Sequence, residues 1–205
     1  TTGGYNTGIG YRALTANTTA SYNTALGYNT LELNTTGADN VAVGRQALQA
    51  NTTGANNTAV GANALDANTT GGSNTSFGGL SLSTNTTGSQ NVALGKNALF
   101  ANTTASDNTA VGYGTLFSNT TGAGNTSIGA SSLDANTTGG SNTAVGKNSL
   151  SANITGDYNT AVGTDALIVN TTSGNTAVGR QSQKATTTGA SNTSVGKDSL
   201  YSNTT

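Results

Sequence analysis

The chain has 205 residues, of which only 7% are charged and 5% aromatic, with a net charge of -1. It holds 29 Gly and no Pro, Cys, Met, Trp or His. The usual zinc, haem, disulfide, Cys-nucleophile and Ser-His systems are thereby excluded, and near-neutral charge argues against a nucleic-acid or polybasic membrane surface. No apolar run reaches the length of a membrane-spanning helix or a signal-peptide core. No cofactor is expected, and an enzyme is not expected either.

Taken along the chain, one element recurs. A Gly following an apolar residue stands at Gly10, Gly27, Gly44, Gly61, Gly78, Gly95, Gly112, Gly129, Gly146 and Gly163, always 17 residues apart. The next step, to Gly179, is 16, and the last, to Gly196, is 17. The missing residue falls between Asn170 and Asn175, which predicts a turn there. Twelve copies of roughly Asn-Thr-Ala-Val-Gly-x-x-Ala-Leu-x-Ala-Asn-Thr-Thr-Gly-x-x fill the chain, so residues 1–205 read as one repeat domain. Thr1 opens mid-pattern and there is no initiator Met, as expected of an interior fragment of a longer fibre.

Each column suggests a face. The residue before the marker Gly is apolar in all twelve copies, from Ile9 to Val195. The fourth residue after it is Leu in every copy but one, where Gln183 marks the eleventh coil as the weakest. Thr-Ala-Val-Gly reads as a short strand with Thr and the aliphatic residue inward, and Ala or Ser and Gly outward. From Leu onward the pattern reads as a second strand, with Leu, a small residue and Thr inward and Asn outward. Two short strands and two turns in 17 residues predict an all-β fold, a parallel β-solenoid or β-roll of twelve coils, on the order of 55–60 Å long at the ordinary strand spacing.

An outward face held small in every copy suggests close approach by another chain. The candidate inter-chain face is Ala25, Gly27, Ala42, Gly44, Ala59, Gly61, Ala93, Gly95, Ala110 and Gly112. The alternative is that the Gly serves a turn and its small neighbour suits a tight bend.

Asn57-Thr-Ala-Val-Gly61 and Asn142-Thr-Ala-Val-Gly146, each followed by Ala-Leu or Ser-Leu, resemble the repeats of phage tail-fibre-type proteins. The Ala-Val-Gly element is also similar to the Val-Ala-Ile-Gly motif in the heads of YadA-type trimeric autotransporter adhesins. The resemblance implies a β-roll assembled as a trimer and used at a virion or cell surface. It therefore implies a structural extracellular fibre or adhesin shaft, self-associating as a homotrimer or an end-to-end filament, without membrane insertion. That family's repeat is shorter, and the chain carries no chaperone, stalk or anchor segment.

Asn-Thr-Thr recurs at Asn17, Asn34, Asn51, Asn68, Asn85, Asn102, Asn119, Asn136, Asn170 and Asn203, with Asn153-Ile-Thr as a variant. Each is formally an N-glycosylation acceptor; the alternative is an amide that bonds turn backbone or stacks on its neighbours. An outward Asn-x-Thr ladder would also suit an ice- or glycan-binding plane, with a cell-surface glycan as partner. No P-loop or calcium-roll pattern is present.

Overall fold

The computed structural model describes residues 2–204; Thr1, on which the mid-pattern opening was read, and Thr205 lie outside it. Its first six strands are β1 (Thr7–Ile9), β2 (Thr24–Leu26), β3 (Val41–Val43), β4 (Thr58–Val60), β5 (Thr75–Phe77) and β6 (Val92–Leu94). The remaining six are β7 (Thr109–Val111), β8 (Thr126–Ile128), β9 (Thr143–Val145), β10 (Thr160–Val162), β11 (Thr176–Val178) and β12 (Thr193–Val195). All twelve pair in sequence order as one parallel sheet. The register places like on like: Thr58 on Thr75, Ala59 on Ser76, Val60 on Phe77. The molecule is a β-solenoid, as the repeat predicts.

Among the described residues the second predicted strand is absent. After the marker Gly the chain turns, and its hydrogen bonds alternate in direction. Asn63 N–H donates back to Arg45 O at 2.9 Å, whereas Leu65 N–H donates forward to Ser81 O at 3.0 Å. The alternation arises because two residues of that stretch are left-handed: Asn63 at φ 56° and Leu65 at φ 54°. A third, Ser73 at φ 59°, turns the chain toward the next strand. Left-handed backbone costs a non-glycine residue roughly 1–2 kcal/mol and is worst for β-branched side chains. This accounts for a feature of the composition: the Leu column runs from φ 49° to 55° and contains no Val, Ile or Thr. Its straight-stemmed exception, Gln183, sits at φ 50°.

The interior is narrow. Leu31, Leu48, Leu65, Leu82, Leu99, Leu116, Leu133, Leu150 and Leu167 are fully buried and stack on one another. Facing them is the strand Ala (Ala42, Ala59, Ala93) together with a second small column (Ala47, Ala64, Ala98). Where the strand carries Ser, the second column answers with Ser. The Ser76 and Ser81 hydroxyls lie 2.5 Å apart, and those of Ser127 and Ser132 2.7 Å apart, so each buried hydroxyl has a partner.

The missing residue falls at a bend, at 172–174. The eleventh coil departs most from the pattern. Gln183 is fully buried, with its Nε2 on Thr176 O at 2.9 Å and its Oε1 unpartnered.

The left-handed Leu column makes a prediction. A volume-conserving core swap normally costs under about 1.5 kcal/mol. Leu99→Met should stay within that range, while Leu99→Ile, equal in volume but β-branched, should lose about 2–4 kcal/mol. Urea denaturation of the two variants checks this; equal losses would contradict it.

Candidate functional site

The coil has two kinds of surface with functional potential, its strand face and its turn face. Both differ from the sequence expectation in ways that follow from the narrow interior.

On the strand face the orientation is inverted. Ala25, Ala42, Ala59, Ala93 and Ala110 are completely buried inside the coil. They form no outward face, and the candidate inter-chain surface is corrected accordingly. Their partner glycines, Gly27, Gly44, Gly61, Gly95 and Gly112, sit at the corner with φ between 130° and 141°. A Cβ on Gly61 would lie 2.7 Å from the carbonyl of Gly78 in the next coil. Another backbone does approach closely, as the small residues suggested, but it belongs to the same chain.

The side chains that point out are Thr or Val and, two residues on, the aliphatic column. Ile9, Leu26, Phe77, Leu94 and Ile128 are exposed, Phe77 by 57%. Val43, Val60, Val111, Val145, Val162 and Val178 are half-buried by their stacked neighbours. The result is a strip with an apolar column beside one that is Thr in every coil but those of Val41 and Val92; it carries no charged residue and runs about 50 Å along one regular parallel sheet. Hydrophobicity alone gave no sign of this. Size did: the inward column admits only Ala, Ser and Gly, while the outward one ranges from Val to Phe.

The Asn-Thr-Thr asparagines point inward, not outward. Asn34, Asn51, Asn68, Asn85, Asn102, Asn119, Asn136, Asn153 and Asn170 are fully buried. Asn17 and Asn203, in the first and last coils, are partly buried. In the middle of the ladder Asn85 Nδ2 donates to Asn68 Oδ1 and to Gly88 O, both at 2.9 Å. Its own Oδ1 accepts from Asn102 Nδ2 at 2.8 Å. The nitrogen that a sugar would occupy is thus inside the rod with both protons engaged. This geometry opposes glycosylation and leaves an amide ladder, the other reading of the sequon. It also removes the Asn half of the Asn-x-Thr plane; only the second Thr, as in Thr36, Thr53, Thr70 and Thr87, lies on the surface.

A second ladder went unread in the sequence. The Asn that opens each strand from Asn23 to Asn175 is also buried, and Asn6 and Asn192 partly so: Asn57 Nδ2 donates to Gly71 O at 2.9 Å, and its Oδ1 accepts the Asn74 backbone N–H at 3.0 Å. Gly71 O accepts from Asn68 Nδ2 as well, at 2.9 Å, so both ladders meet at one carbonyl. The available signal was that Asn stands in that column in all twelve copies.

The turn face carries every aromatic side chain but Phe77 and most of the charged ones. Tyr5 stacks on Tyr22 with ring centres 5.2 Å apart, Tyr11 on Tyr28 at 5.4 Å and Phe100 on Phe117 at 5.0 Å. Two carboxyls here are pushed above the ordinary Asp range by burial. Asp66 is compensated by an Asn63 amide at 3.2 Å and by the charge of Arg45. Asp134 is tempered only by the amides of its own residue and Ala135. Among the described residues no cluster of acidic or metal-ligating side chains forms a metal site, and no helix is long and apolar enough to cross a membrane.

No family model, no curated protein and no solved structure matches the chain.

The amide ladder yields a prediction. Asn85→Asp removes both donors, buries a carboxylate and leaves Gly88 O with one partner fewer. A loss of about 2–4 kcal/mol is expected at pH 7, and it should shrink as the pH falls and the carboxyl is protonated. The sign follows from burial: the variant's carboxyl would titrate above its unfolded value, so its penalty is full at high pH and fades below its folded pKa. Thermal melts at pH 7 and pH 3 check this; a variant as stable as the parent at pH 7 would contradict it.

Proposed function

We propose that the chain is a shaft segment of an extracellular fibre or adhesin, with a mechanical role, and that copies associate through the outward apolar strip. The observation that carries this reading is the inversion of the strand face. Each coil keeps its smallest side chains inside and turns an aliphatic or aromatic one to solvent, twelve times in register. Contiguous apolar surface on this scale marks an interaction site in water-exposed proteins. A partner with the same period covers it best, because every coil then meets an identical coil.

The repeat itself supports a mechanical role. Each coil contacts only its neighbours, so length is added without changing the fold. Three copies packed strip to strip about a common axis is the arrangement that the resemblance to adhesin heads implies. End-to-end joining would extend the same rod into a filament. The apolar strip also gives the trimer a different contact surface from the one the small residues suggested.

The test is the solution mass, by light scattering coupled to size exclusion. A mass near three chains is expected. Replacing Val60, Val111 and Val162 together with Lys should reduce it to that of one chain while leaving the far-ultraviolet circular dichroism unchanged. A parent that is monomeric at tens of micromolar, or an assembly that survives the triple variant, would overturn the proposal.

A further inference from the structure

The turn face has one local defect, and it lies away from the apolar strip. The second residue after the marker Gly is a side-chain-bearing residue in every coil except the seventh, where it is Gly114. The neighbouring coils place Asn97 and Ser131 in that column. A Cβ built on Gly114 meets nothing within 4 Å, so the missing side chain leaves open space. That space is an open cleft of about 440 Å³, lined by Asn97, Tyr113, Phe117, Ser118, Ser131 and Asp134.

The chemistry of the lining is one-sided. Tyr113 is 60% exposed and Phe117 38%, and Phe117 is held by its stack on Phe100. Asp134 is half-buried; its inner oxygen is buried without a partner, as is that of Asp66, so its outer oxygen is the one the cleft can offer. The same column elsewhere shows what is missing. Asp66 receives the Asn63 amide three residues before it. In the eighth coil that position is Ser131, which makes no such bond, so Asp134 has lost its donor. Among the described residues no cation is paired with Asp134; burial lifts its carboxyl above the ordinary range, and the amides of its own residue and Ala135 offset this only in part. The cleft therefore combines a half-buried carboxylate that receives no side-chain donor with two aromatic surfaces. All three attract a donor that carries positive charge.

We infer that the cleft at Gly114 binds a primary alkylammonium group, with the ammonium at the Asp134 carboxylate and the alkyl chain on Phe117 and Tyr113. A neutral sugar would gain from the aromatic surfaces, but it would leave the charge of Asp134 uncompensated. The two natural carriers of the group are a lysine side chain of another protein and a free polyamine. The inference stands apart from the fibre reading, since the cleft belongs to a single chain and lies on the turn face.

The test uses the full chain and follows amide shifts in ¹H–¹⁵N spectra. Three probes are titrated separately: Nα-acetyl-lysine methylamide, 1,4-diaminobutane and methyl α-glucopyranoside. Saturable shifts at Gly114, Ser118 and Ser131 are expected with the amines, at about millimolar concentrations. Tighter binding of the lysine derivative would assign a protein lysine, and tighter binding of the diamine a polyamine; either supports the site. Two variants are chosen from residues the scaffold already carries in these columns. Gly114→Asn fills the gap with the residue found at Asn63 and Asn148, and suits the left-handed φ of 60°. Asp134→Ser copies Ser151 of the next coil. Each should weaken amine binding by about tenfold or more, the scale of one charge-assisted contact. Absence of saturable shifts, equal binding of the glucoside, or amine binding that survives both variants would overturn the inference.

Discussion

The buried amide is the interaction on which the rest of this structure depends. A 17-residue coil has too small an interior for a conventional apolar core: it holds one Leu and two small side chains. Two asparagines close the coil instead. One donates along the stack to its own equivalent and to a corner carbonyl. The other accepts the backbone N–H of the next coil and donates to the carbonyl of the following corner, as Asn57 does with Asn74 and Gly71. Buried polar groups are stabilising only when every member is satisfied, and a periodic stack satisfies each one with its own copy.

The strictness of the period follows. A coil one residue longer or shorter would carry its asparagine away from the next, so drift breaks a bond in the interior. The single 16-residue step shows this. At that step Asn170 Nδ2 turns to Thr172 O at 2.8 Å, and Asn153 Oδ1, which should have received it, is left buried without a partner. The next coil then departs from the pattern twice, with Gln183 in the Leu column and Thr186 in the Asn column. Tight coiling also dictates the left-handed residues, and these in turn restrict the Leu column to unbranched β-carbons.

The period, the parallel solenoid, the bend at the deletion and the irregular eleventh coil were all legible in the sequence, because each shows in the columns of the repeat. The faces were not. Thr-Ala-Val offers an apolar residue in both phases, and the usual rule sends the larger one inward. The interior here is too narrow for Val or Phe, so Ala59 is buried and Val60 faces out. The asparagines misled for a related reason: Asn normally belongs at the surface. Their recurrence was visible, in every copy but the one with Thr186, but the sequence alone did not decide between a sequon and a ladder. The Gly114 cleft was not legible at all, since it depends on which side chains of three successive coils meet at the surface.

A narrow polar-stitched interior thus accounts for an apolar exterior, and the exterior is what suits the rod to association with its own copies. The most direct test of this account is hydrogen–deuterium exchange of the asparagine side-chain amides, followed by NMR. The amide protons of Asn68 and Asn85 should persist long after those of Asn56, which lies exposed on the turn face. Exchange of Asn68 and Asn85 at the rate of Asn56 would place the ladder in solvent and contradict the account.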